Sequence, residues 1–136
     1  MSQLAYFHLT SPAFALGARI PVKYTCDGAD VSLPLQWSGV SAKATSLELK
    51  MIDRDAPGGN FVHWQLSHLP ASTTQLSAGQ VPAGTIQGVN GFGSKGYRGP
   101  CPPRGDPPHH YVITITALRG SRPIAESTLT GTYTRR

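Results

Sequence analysis

The sequence predicts an all-β domain, two packed antiparallel sheets with little helix. Three observations predict it. Fifteen glycines and twelve prolines punctuate the 136 residues, a density of chain breakers that long helices do not tolerate. No window carries apolar residues at i, i+3, i+4 and i+7 for three helical turns. Period-two alternation, the signature of a strand with one wet face, recurs along the chain.

Taken in order, Ile20, Val22 and Tyr24 share one face of a first candidate strand, and Leu33, Leu35 and Trp37 one face of a second. Leu47, Leu49 and Met51 alternate with Glu48 and Lys50 in a third, and residues 62–69 supply a fourth. Residues 111–118, YVITITAL, are β-branched with only threonines for polarity, which predicts a central strand buried on both faces. Residues 128–134 close a set of six or seven strands. The intervening Arg119-Gly-Ser-Arg-Pro123 is too short and too rich in breakers for a helix, so the chain is expected to turn at once into its last strand. Residues 53–60 and the Gly/Pro-rich stretch 88–108 read as ordered loops.

A chain of this length fits one domain, 1–136, able to bury a core without staples. The opening MSQLAYFHLTSP has no signal-peptide pattern and no later run is apolar enough to span a bilayer, so the expectation is a cytoplasmic protein with no stable membrane insertion. Two cysteines, Cys26 and Cys101, are then expected as free thiols that lie near each other. The formal charge of +5 hints at a polyanion partner. Lys and Arg are nevertheless scattered singly with no aromatic stacking motif, which favours a solvated basic surface and no nucleic-acid partner.

Gly91, Gly93 and Gly96 match G-x-G-x-x-G formally, but YRGPCPPRGDPP follows. The dinucleotide motif works through the N-terminus of a helix there, so no such cofactor is expected. What remains is a set of polar residues at strand ends. Asp53 and Asp55 are two apart before the Pro57-Gly58-Gly59 turn, and His63 opens the strand after it, so either carboxylate could reach that imidazole, fix its tautomer and raise its pKa. His109 and His110 open the central strand facing opposite ways, so one alone can join a given pocket. The duller reading makes each aspartate an Asx-turn former, each histidine a satisfied surface group, and Trp37 and Trp64 core. Cys101 paired with His109 lacks an oxyanion hole and an orienting third group, and no metal-ligand spacing occurs. The expectation is therefore not an enzyme, with no metal and no cofactor.

Four motifs in order, YTCDGADVSLPLQW at 24–37, MIDRDAPGGNFVHWQL at 51–66, GFGSKGYRGPCPPRGDPPHHYVITITAL at 91–118 and the closing STLTGTYTR, resemble the phosphatidylethanolamine-binding protein family, in its bacterial and archaeal branch of Raf kinase inhibitor-like proteins. The resemblance implies a Greek-key β-sandwich with a small anion-binding cavity at one end. Carried over position by position, it implies ligand-binding roles for Asp53, Asp55, Pro57 and His63, loop walls from Gly99, Pro100 and Pro102, and a lining of His109 and Tyr111. This chain departs from the pattern at Arg54, where proline is usual, at Leu33, another common proline, and at His110, where arginine is usual. A helix that family members carry before the closing strand is missing as well.

The leading expectation is a binding protein for a small phosphorylated or carboxylated group, received by donors from His63, Tyr111 and loop amides, with Asp53 keeping an imidazole charged. The rivals are an interaction module that inhibits a kinase or protease, and a cryptic hydrolase using His63, His109 and Asp53. The missing helix adds an expectation of bare apolar sheet surface covered by a second copy in a homodimer, unless Thr114, Thr116, Glu126 and Thr128 make that face tolerable in water.

Overall fold

The computed structural model describes residues 7–136. Eight strands run in chain order: β1 (His8–Thr10), β2 (Leu35–Ser38), β3 (Ser46–Asp53), β4 (Phe61–Pro70), β5 (Gln75–Leu76), β6 (Ile86–Gln87), β7 (His109–Arg119) and β8 (Arg122–Tyr133). They form a three-stranded sheet, β1-β2-β5, and a five-stranded sheet, β6-β4-β3-β7-β8. Every pairing between named strands is antiparallel. Leu9, Leu35, Trp37 and Leu76 of the small sheet pack on Leu47, Leu49, Met51, Trp64, Tyr111, Ile113, Ile115 and Leu129 of the large one in a single core. Alternation thus reports the layer each residue joins, as two facing sheets require.

Three expectations are corrected. Val22–Tyr24 form a 3-10 turn rather than a strand; Pro21 has its fixed φ of −61° and accepts from the Tyr24 N–H, so the alternating side chains occupy a turn that leaves only Ile20 fully buried. The interior strand β7 is buried on one face only: Tyr111, Ile113, Ile115 and Ala117 point into the core, while Val112, Thr114 and Thr116 are half-buried. Among the described residues no layer covers that outer face, and threonine there satisfies β-propensity without needing an apolar neighbour.

The third correction concerns the cysteines, which are bridged rather than reduced: Cys26 and Cys101 form a disulfide with Cα atoms 5.4 Å apart. Their loops are stitched side by side, the Cys26 N–H donating to the Pro100 carbonyl, Gly99 N–H to Asp30 Oδ1 and the Tyr97 hydroxyl to the Tyr24 carbonyl. A Cβ on residue 99 would stand 2.1 Å from the Tyr24 oxygen, so only glycine allows this approach.

The β7–β8 hairpin turns through Gly120 at φ +61°, entering the last strand at once. The outer face of the large sheet holds a shallow concavity of about 460 Å³ lined by Glu48, Lys50, Ile52, Gln65, Thr114 and Thr116 among others. Leu49, Leu66 and Val112 also line it, so this face mixes the threonines and charges that water tolerates with the apolar surface on which the homodimer expectation rests. Among the described residues, no helix is long and apolar enough to cross a membrane.

Candidate functional site

Antiparallel register brings the polar strand ends together. Asp53 ends β3 opposite Phe61 on β4 and Tyr111 on β7, and His109 lies two residues before Tyr111 on the same buried face. His63 arrives by another route. Met51 pairs with Trp64 but Ile52 pairs with Val62, so His63 is the extra residue of a β-bulge, a device that re-aims a side chain. Strict alternation with Trp64 and Leu66 would point His63 outward; the bulge buries it at 3% exposure beside Trp64. Its ring lies edge-on 5.3 Å from that of Tyr111, and the His109 ring stacks 6.5 Å from Tyr111.

The hydrogen bonds determine what each group can offer. Asp53 Oδ1 accepts from the Asp55 N–H, forming the turn expected of an aspartate in that position, and Oδ2 lies 2.6 Å from His109 Nδ1. His109 Nε2 lies 2.9 Å from Asp106 Oδ2. Burial opposes a charge on His109, but the carboxylates of Asp53 and Asp106 outweigh it and raise its pKa. The charged form donates both N–H groups to them. His63 behaves in the opposite way. Its Nδ1 lies 2.6 Å from the Arg98 carbonyl, which can only accept, so the proton is on Nδ1 and Nε2 carries the lone pair. Burial lowers its pKa, contrary to the expected rise. Tyr111 is fully buried, and among the described residues its hydroxyl makes no hydrogen bond of full geometry, although the Asp53 carboxylate lies close enough to act on it. Burial and then the Asp53 charge raise its pKa, so it remains an O–H donor.

The structure therefore gathers Asp53, His63, His109 and Tyr111, with Gly99, Pro100 and Pro102 buried in the adjoining loop. Asp53 serves His109 rather than His63. Asp55 and Pro57 do not join the group: both are exposed, and Asp55 Oδ2 accepts from the backbone N–H and ring of His110 on the outward side. Arg54 gains a role there, since its N–H donates to the His110 carbonyl, a bond that the usual proline could not make. Sequence reasoning missed Asp106, Phe61 and the rim pair Phe92 and Arg98. Phe61 and Phe92 sit edge-on to His63 and each other at 4.8–5.6 Å, and the Arg98 guanidinium lies 5.0 Å above the Phe92 ring. Asp106 follows from a carboxylate three residues before a strand-end histidine; nothing in the sequence marks the aromatics.

The profile of the phosphatidylethanolamine-binding protein family matches residues 10–135. The chain belongs to that family. A UPF0098 protein of Methanothermobacter thermautotrophicus is 44% identical over 116 residues, 82% of this chain and 76% of that protein. LppC of Mycobacterium tuberculosis, which carries a lipoprotein name, is 45% identical over 110 residues, 81% of this chain. This chain spans only 54% of LppC. Among solved structures, Escherichia coli YbcL, described as a member of the mammalian PEBP family, superposes with a TM-score of 0.90 at 30% identity over 96% of this chain and 99% of YbcL. The PEBP homologue CT736 of Chlamydia trachomatis gives 0.89 at 34% identity over 98% of this chain and all of CT736. These likenesses make this a PEBP-like domain of the bacterial and archaeal branch.

Proposed function

We propose that this PEBP-like domain is a binding protein, and that its pocket takes a phosphate group carrying one acidic proton. The observation that carries the reading is the buried Tyr111 hydroxyl beside His63 and near the Asp53 carboxylate, which makes no full hydrogen bond among the described residues. An unmet buried hydroxyl is costly, and a ligand oxygen accepting from it removes the cost. The neighbouring groups then select the ligand. His109 has both N–H groups committed, and with Asp53 and Asp106 it forms a cluster of net charge −1. His63 Nε2 offers an acceptor rather than the donor first expected. A fully ionised oxyanion therefore meets one donor, one lone pair and a negative cluster, whereas a P–OH group donates to Nε2 while another oxygen accepts from Tyr111.

Binding rather than catalysis is supported by chemistry. Cys101 is bridged and has no thiolate to offer, and the imidazole with the raised pKa is held between two carboxylates instead of against a nucleophile. The exposed Phe92 with Arg98 above it at the rim favours a second reading, in which the phosphate arrives on a phosphorylated residue of a protein partner. The expectation of free thiols followed from the expected cytoplasmic location, and a disulfide is the state that an oxidising compartment favours.

Isothermal titration with phosphoserine, inorganic phosphate and sulfate in buffers of different ionisation enthalpy tests the proposal. Phosphate compounds should bind with net uptake of about one proton above pH 6, where phosphomonoesters lose their second proton, and sulfate at least about tenfold more weakly. Equal binding of sulfate, or binding without proton uptake, would overturn it. A phosphoserine peptide that binds much more tightly than phosphoserine would favour the second reading.

A further inference from the structure

We infer that the arginine-lined concavity at the far end of β8 is a second anion site, shaped for a soluble, compact diphosphate group. The concavity, about 520 Å³, is lined by Arg19, Arg104, Arg135 and Arg136 with Asp27, Tyr133 and Thr134. Four of the twelve Lys and Arg residues thus meet in one hollow with one of the seven Asp and Glu side chains, although Arg19, Arg104 and the Arg135-Arg136 pair are far apart along the chain. A hollow lined by one sign of charge concentrates counter-ions.

Three of these guanidinium groups are held in place, which lowers the entropy lost on binding. Arg19 lies 4.6 Å over the ring of Tyr133, which is itself buried. Arg104 NH1 donates to the Arg136 carbonyl at 2.8 Å. Arg135 grips Asp27, with NH2 3.1 Å from Oδ1 and Nε 3.2 Å from both oxygens, and the Tyr133 hydroxyl donates to Asp27 Oδ2 at 2.7 Å. Asp27, with its pKa lowered chiefly by that Tyr133 bond, stays ionised and neutralises Arg135. No ion pair to an aspartate or glutamate is formed by Arg19 or Arg104 among the described residues, and Arg104 keeps its remaining N–H groups beyond the one held by the Arg136 oxygen. Two forked cations flanking a neutralised pair match a ligand with two phosphoryl groups, because guanidinium planes bind phosphate oxygens in pairs.

The lining also decides between sources of phosphate. It contains no exposed large apolar side chain to enter a bilayer, and the one aromatic ring face is covered by Arg19, so no base can stack there. A free small molecule fits better than a lipid surface or RNA. The site is joined to the first pocket through the 104–106 segment, where Gly105 N–H bonds the Arg135 carbonyl while Asp106 bonds His109, yet it shares no ligand-facing group with it.

Calorimetric titration of the full chain with inorganic pyrophosphate tests this, with the arginine Nε–H signals in NMR spectra as a second readout. Arg19→Gln and Arg104→Gln should each weaken binding at this site about tenfold, and the double variant should abolish the pyrophosphate-induced shifts of the arginine Nε–H signals, while Tyr111→Phe, which acts on the first pocket, leaves those shifts and their midpoint unchanged. Both arginines are exposed, so the variants should retain the wild-type circular dichroism spectrum. Unchanged affinity in both arginine variants, or loss in Tyr111→Phe alone, overturns the site. So does capture on phosphatidylcholine vesicles containing phosphatidic acid, or by an RNA oligonucleotide, when pyrophosphate does not bind.

Discussion

His63 and His109 both lie against Tyr111, and their protonation responds to folding in opposite senses, so the stability of the protein should fall on both sides of neutrality for separable reasons. His109 has its pKa raised by Asp53 and Asp106. It therefore stabilises the fold fully below the unfolded value of about 6.5, and that contribution is lost as pH rises through the higher folded value. His63 has its pKa lowered by burial; the unfolded chain takes up its proton first, so stability falls as pH drops below about 6.5. Each limb has a limiting slope of about 1.4 kcal/mol per pH unit. The Asp53→Asn substitution isolates one limb. At 2.6 Å with both side chains 5–6% exposed, the gross attraction is roughly 6 kcal/mol at an effective dielectric constant of about 20, most of it offset by desolvation. Removing one partner of a buried pair costs about 3–5 kcal/mol. Asp106 still holds Nε2, so a loss of about 2–3 kcal/mol is expected. Urea unfolding at intervals from about pH 5 to 9 should show that loss near neutrality and a flattened alkaline limb, while the acid limb persists and extends to lower pH because the Asp53 charge that raised the His63 pKa is gone. An Asp53→Asn protein that kept the wild-type alkaline decline would refute the assignment of that limb to His109.

Tyr111→Phe should raise the stability of the unliganded protein by about 1 kcal/mol, since it removes an unmet buried hydroxyl; thermal melts should show the gain, and titration a phosphate affinity at least about tenfold weaker. The disulfide closes a separation of 75 residues, so reduction should cost about 4 kcal/mol and lower Tm by more than about 10 °C in a scan with and without dithiothreitol. Gly99→Ala forces its Cβ against the Tyr24 carbonyl and against Asp30 Oδ1, the acceptor of its own N–H, and should cost about 3 kcal/mol or more by denaturant titration. Because the outer sheet face is threonine-rich, sedimentation at micromolar concentrations should give a monomer; a dimer there would restore the interface first expected from the missing helix.

Much of the fold was legible because side-chain alternation and sheet layering express the same constraint: Leu47, Leu49 and Met51 read as one face and are one face. The pairing of His109 with Tyr111 and the outward aim of His110 follow from the same rule. It fails where the chain stops being periodic. The alternation across Ile20, Val22 and Tyr24 belongs to a turn started by Pro21, and 111–118 looked buried on both faces because β-branched residues suit an uncovered sheet face as well as a core. Electrostatic roles were the least legible. Which imidazole Asp53 serves depends on a register between β3 and β7, and the gathering of Arg19 with Arg104 and Arg135 depends on the parallel bridge that sets Arg19 beside Thr132. Neither long-range contact leaves a local trace in the chain.

The extra residue at His63 divides β4 into two phases. From Trp64 onward the strand keeps step with the core; before it, the strand keeps step with the rim, where Phe61 faces Asp53. Shortening the strand by Val62 would merge the phases, setting His63 opposite Ile52 on the outer sheet face while Trp64 and Leu66 stayed in place. The lone pair that we propose selects a protonated ligand is thus attached to the hydrophobic interior by a single insertion, and chain length at one position can place that imidazole beside Tyr111 or remove it while Trp64 and Leu66 keep their register.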